Sequence, residues 1–283
     1  MRSIRSSRAR DAGTKRRLPG RETTARRRRW SRLGLAAAVV IGIATAATGA
    51  FFLLGDDDDP ASPRALTSDE VNRLAVTRFL NYQAGGRAVT ITVPNVAGGL
   101  VITGSIDYRT HTGYGVVRGT GRDASSDGLI RWTAGTVLVR PMAKPPAAAP
   151  AKPPASGWYT RPLRTSGMTL DSALAIALDL GSNRPDNSAL LPQNGAAWVG
   201  RERVRGHRTD IMKGPRASAT ASAGPGTGTR TSQTVRYWIG SDGTMYRVEI
   251  GIASAPRPVV LDFDTRAYVP VQPLPGAAPT PQP

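Results

Sequence analysis

The sequence predicts an α+β domain, a highly curved antiparallel sheet of about ten strands cupping two helices, preceded by one transmembrane helix. Three observations carry this expectation. Leu33 to Leu54 is a run of 22 residues without a charge or a proline, long enough at about 1.5 Å per residue to cross a bilayer. From Val89 onward, short stretches alternate apolar and polar side chains between turn residues, which is the period of half-buried strands. Only two segments, 68–84 and 170–180, change to a helical period.

The first 32 residues carry twelve arginines and Lys15 against Asp11 and Glu22, and Asp56 to Asp59 follow the apolar run. Basic residues stay on the cytoplasmic side of a span. The expected order is a basic cytoplasmic tail (1–32), the span (33–54), a linker (55–66), an extracytoplasmic domain (67–273) and a C-terminal tail (274–283). A cleaved signal peptide is the alternative, with Ala44-Thr45-Ala46 or Thr48-Gly49-Ala50 as candidate sites, but cleavage after Ala50 would leave Phe51 to Leu54 at the new N-terminus. The net charge of +18 resides mostly in the tail. Beside a span, such a tail meets anionic lipid rather than nucleic acid. The expected localisation is the cell membrane, single-pass. The absence of cysteine excludes disulfides and thiolate chemistry, leaving a packed core as the source of stability.

Thr67 and Glu70 have the spacing of a capping box, so a helix starts at Ser68. Val71, Leu74, Ala75, Phe79 and Tyr82 form its apolar stripe, and Gly85-Gly86 ends it. Val89, Ile91 and Val93 then define a strand. Four more follow, 100–109, 114–119, 129–133 and 136–140, an antiparallel meander because no helix intervenes. The proline-rich stretch 141–157 is a loop. Thr169 caps a second helix, Leu170 to Leu180, which is apolar around nearly its whole circumference and so is expected to be deeply buried. Strands resume at 197–204 and 207–213 about a turn at Arg205-Gly206. A flexible stretch, 214–231, precedes a hairpin with an Asp242-Gly243 turn and a last strand, 259–263.

The segments Trp158-Tyr159, Gly200-Arg201-Glu202-Arg203-Val204-Arg205-Gly206 and Tyr237-Trp238-Ile239-Gly240-Ser241-Asp242-Gly243 resemble the LppX/LprG family of actinobacterial cell-envelope lipoproteins, over roughly Thr67 to Pro273. The resemblance implies a LolA-like fold, an incompletely closed sheet around helices, with lipid acyl chains held between them. The family's acylated cysteine is missing here, its place taken by the span. On this reading Ile91, Val116, Leu174, Leu178, Leu261 and Phe263 line an apolar cavity for an envelope lipid or glycolipid. The alternative is an interaction or sensory ectodomain with a filled core.

Catalysis is not expected. His111 and His207 lie in a turn and at a strand start, with no serine in a nucleophile-elbow context. Asp262 and Asp264 share a strand face and read as solvated negatives. No phosphate loop or metal-ligand spacing occurs, and no cofactor is expected. Arg201, Arg203 and Arg205 alternate, reading as a solvated sheet face or, more sharply, as a contact for anionic headgroups or wall polymers. Trp132, Trp158, Trp198 and Trp238 read as core.

Overall fold

The computed structural model describes residues 62–164, 168–215, 234–252, 255–264 and 268–274. The expected cytoplasmic tail, span, most of the linker, residues 216–231 of the flexible stretch and residues 275–283 lie outside the described residues. No described helix is long and apolar enough to cross a membrane.

Helix α1 spans Ser68–Gln83 and begins with the capping box that Thr67 and Glu70 predict. The Glu70 carboxylate accepts the Thr67 N–H at 2.8 Å, and Thr67 Oγ1 accepts the Glu70 N–H at 3.4 Å. Glu70 also takes both arms of the Arg64 guanidinium, at 2.8 and 2.7 Å, which holds its carboxyl down at about 2. Thr67→Ala should cost about 1 kcal/mol, read as a lower urea midpoint at unchanged slope; an unmoved midpoint would mean that Arg64 and Glu70 fix the helix start alone. The buried face of α1 differs from the expected stripe. Leu74 and Ala75 are buried, but so are Thr77 and Asn81, while Val71, Phe79 and Tyr82 are only half-buried. Asn81 turns inward because its amide meets two buried polar groups: Nδ2 donates to the Leu180 carbonyl, and Oδ1 accepts from Arg87.

Eleven strands form one antiparallel sheet, one more than the sequence suggests. They are β1 (Gly86–Asn95), β2 (Gly98–Asp107), β3 (Thr112–Gly121), β4 (Gly128–Trp132), β5 (Thr136–Pro141), β6 (Tyr159–Pro162), β7 (Ala197–Val204), β8 (His207–Lys213), β9 (Thr234–Ile239), β10 (Met245–Gly251) and β11 (Val259–Phe263). Helix α2 (Thr169–Asp179) and a single turn, α3 (Leu190–Gln193), lie between β6 and β7. The order across the sheet is β6-β5-β4-β3-β2-β1-β11-β10-β9-β8-β7. The chain thus starts in the middle, steps outward to β6, crosses through α2 to the far edge, and steps back until β11 pairs β1. Among the described residues β6 and β7 do not pair, so the sheet is open. Arg64 makes a single bridge to Trp198 on the β7 edge.

One face of this sheet is buried against α2. Val137 of β5 and Ile250 of β10 belong to the same buried cluster as Leu174 of α2, yet these two strands are six places apart, about 29 Å along a flat sheet. A helix of 11 residues, about 17 Å long and 10 Å wide, cannot cover that breadth. The sheet therefore curls so that its side chains cover one another. Gly113 of β3 stands in register with Trp132 of β4, and a Cβ there would enter the indole, so the glycine lets the ring lie across its neighbouring strand. The other face is covered on the β3–β4 side: Tyr114, Val116 and Leu129 pack beneath Met142, Ala149 and Trp158 of the proline-rich segment and Val271 of the C-terminal segment. At the β7–β8 hairpin, Arg205 (φ 51°) and Gly206 (φ 84°) both adopt the left-handed region, as a two-residue type I′ turn requires.

Candidate functional site

Helix α2 is a crossbar inside the curled sheet, held by polar contacts at its two ends. At its N-terminal end Asp171, fully buried, accepts the Arg161 fork of β6 at 2.7 and 2.6 Å and the Arg164 N–H at 2.8 Å. Burial pushes the Asp171 carboxyl up, but these donors outweigh it and hold the group below its usual range. Thr169, expected as the cap, is instead the first helical residue; Met168 is the cap and makes no side-chain capping bond. At the other end the Asn81 amide donates to the Leu180 carbonyl at 2.9 Å, and Arg78 Nε to the Asp179 carbonyl at 2.8 Å. Between these clips the helix presents Ala173, Leu174, Ala177 and Leu178 to the core. In this middle stretch Trp132 Nε1 of the sheet donates to the Leu174 carbonyl at 3.2 Å.

Five of the six residues expected around a cavity come together. Ile91, Leu174, Leu178, Leu261 and Phe263 lie in one cluster, each no more than 2% exposed. Val116 does not join them: strand β3 is covered on both faces, and Val117 points to the interior while Val116 packs under the proline-rich segment with Tyr114 and Leu129.

The interior has two unlike ends along β1. At one, Arg87 is 1% exposed, its Nη1 donating to Asn81 Oδ1 at 2.7 Å, its Nη2 to the Met245 carbonyl at 3.1 Å, and its guanidinium 4.8 Å from the centre of the Phe263 ring. At the other, about 20 Å away by strand rise, the β1–β2 turn borders a cleft of about 370 Å³. Val93 and Leu100, which line this cleft, also pack into the interior cluster. Its body lies on the outer face of the sheet, where Thr92, Val101, Val260 and Glu249 stand in register and alternate with interior residues; Pro94 and Pro258 complete its walls, with Glu249 and Arg257 as its charged groups. Burial raises the Glu249 carboxyl, while Arg247 and Arg236 pull it down. A second cleft of about 210 Å³, between α1, α3 and β9, has the Arg78–Asp186 ion pair on its wall.

Sequence reasoning did not assign Val93, Leu100 or Arg87 to this site. Val93 and Leu100 carry a signal, since they sit at the two sides of a tight turn and face each other in register. Arg87 carries none, because one position after Gly85-Gly86 reads as the end of a helix.

The remaining polar candidates are engaged elsewhere. His111 is exposed at a turn, and His207 stacks on Tyr246 with ring centres 4.3 Å apart. Asp262 holds Arg247 at 2.7 and 3.2 Å and Asp264 pairs with Arg205, so each carboxylate has its own arginine. No group of three His, Asp or Glu residues able to hold a metal occurs among the described residues. Trp132 and Trp238 are buried, and Trp158 and Trp198 half-buried.

No family model matches the chain, and no curated protein matches it. Among solved structures, an outer-membrane lipoprotein-sorting protein domain from Vibrio parahaemolyticus is similar at 10% identity, over 70% of this chain and 90% of that one, with a TM-score of 0.23. A likeness that loose fixes neither the fold nor the function of this chain.

Proposed function

We propose that the chain is a non-enzymatic binding module, anchored in the membrane by residues 33–54, which takes an apolar chain such as a lipid acyl group between the sheet and α2. The observation that carries this reading is the apolar length of the interior itself. It runs from Val93 and Leu100 at the β1–β2 end to Arg87, some 20 Å along the strand. Such a surface offers nothing to a polar substrate and suits a hydrocarbon chain entering end-on. The α2 crossbar supports it too, since its middle presents alanines and leucines to the interior and its polar clips lie at the ends. The resemblance to LppX/LprG lipoproteins, on the residues of β7 and the β9–β10 hairpin, points the same way.

A second reading, an interaction or sensory ectodomain with no lipid ligand, is favoured by one observation. Ile91, Leu174, Leu178, Leu261 and Phe263 already fill the space between sheet and helix with one another. Photoreactive leucine analogues at Leu100 and Leu178 of the full chain, illuminated in native membranes, separate the two. Acyl-chain adducts at both positions are expected. Adducts confined to the chain itself would establish the filled core.

A further inference from the structure

We infer that the β7–β8 hairpin is a docking surface for the anionic lipid headgroups of the membrane in which the chain is anchored. The inference rests on the anchored reading of residues 33–54. Arg203 and Arg208 face each other directly across the two strands, both exposed. Like charges at opposed positions repel, so the pair weakens the hairpin unless something anionic lies over it. The acids nearby are already committed. Glu202, between Arg201 and Arg203, has its side chain on the other face of the strand and accepts Trp238 Nε1 at 2.7 Å. Asp210 takes Arg73 at 2.7 Å and Arg201 at 2.8 Å, and Asp264 takes Arg205. Arg203 donates only to the Gly206 carbonyl of its own turn, at 3.2 Å, and among the described residues neither it nor Arg208 makes an ion pair. The hairpin tip is thus a surplus of positive charge held on a rigid two-residue turn.

Chain length keeps that surplus within reach of a bilayer. The segment leading into α1 joins the sheet at the β7 edge, where Arg64 bridges Trp198. Trp198 and Arg203 are five residues apart on one strand, about 17 Å. Only nine residues, 55–63, separate the end of the apolar run from Arg64, so even fully extended they hold the β7 edge within about 31 Å of the hydrocarbon boundary. The edge where the tether joins the sheet is the edge that carries the unpaired arginines. Docking there would also fix which end of the apolar interior faces the lipid.

The test uses the full chain reconstituted in phosphatidylcholine vesicles with and without phosphatidylglycerol, read by hydrogen exchange of the 201–208 amides. Protection is expected with phosphatidylglycerol, absent in its absence, and lost at high salt, which screens headgroup contacts. Since a basic residue near an anionic surface is worth about fivefold in partitioning, the R203Q/R208Q variant should shift the docked population about 25-fold toward the free form. Exchange of the β1 amides serves as the control for folding of that variant. Equal exchange in both vesicle types, or protection by soluble polyphosphate over neutral vesicles equal to that by phosphatidylglycerol, overturns the inference. A chain that does not float with vesicles in high salt ends the anchored reading and this inference together. A chain that floats while its hairpin ignores lipid charge ends the inference alone.

Discussion

Arg161→Ala should lower the stability of the domain by about 3 kcal/mol at neutral pH, the low end for removing one partner of a buried ion pair. Asp171 is fully buried and Arg161 about one-third exposed. Removing the arginine therefore leaves the charge that cannot reach water, with the Arg164 N–H as the remaining donor of those that hold it. In a domain of about 200 residues this corresponds to a fall in Tm of roughly 10 °C. The pH dependence separates an ionic clip from simple packing. In the native chain the Asp171 carboxyl is held below its usual range, so its stabilising contribution is complete above about pH 4 and is lost as pH falls through the depressed folded value. In the variant, burial still raises the carboxyl and only Arg164, through its N–H and its charge, is left of the groups that lower it, so acidification relieves the buried charge. The stability difference between the two chains should accordingly shrink from pH 7 toward pH 4 in urea titrations. A difference independent of pH would show that Arg161 acts through its aliphatic stem.

That clip was not legible in the sequence, and the reason is general to what was and was not read. Features settled within a few residues were plain. The Thr67–Glu70 capping box and the Arg205-Gly206 turn depend on local backbone geometry, and both occur as their spacing predicts. The alternation of Val89, Ile91 and Val93 likewise identified the interior face of β1. Features settled by what lies across the fold were not. Strand β6 is four residues with no buried side chain, and it is a strand because β5 offers an edge. Thr77 and Asn81 looked like the outer side of α1 because polar residues usually are; the inward turn of Asn81 depends on Arg87, on an element whose position the helix does not encode. Val116 and Val117 show the limit of periodicity most directly. Alternation says that they point opposite ways, but both sides of β3 are covered, so nothing local marks which one faces α2.

Leu174→Ala is the substitution with the other large expected effect, because it empties the middle of the crossbar. Leu174 is fully buried in the interior cluster, and truncating a leucine in such a place costs about 2 to 5 kcal/mol, the higher figure where the walls cannot collapse. The walls here are held. Trp132 is tied by its indole N–H to the backbone of Leu174 itself, and Asn81 and Asp171 fix the helix ends. A loss near 4 kcal/mol is expected, with the void retained. A retained apolar void is dry and takes apolar guests, so the variant also probes the proposed function. If the interior accepts acyl chains through its β1–β2 end at Val93 and Leu100, a long-chain fatty acid at about a hundred times its Kd restores roughly 2.7 kcal/mol to the variant. Leu100→Trp, which narrows that end, should block the rescue while leaving the stability of the unliganded variant nearly unchanged. Rescue by a small guest such as benzene without rescue by the fatty acid would mean a void without an entrance, and the binding-module reading would then give way to the filled core.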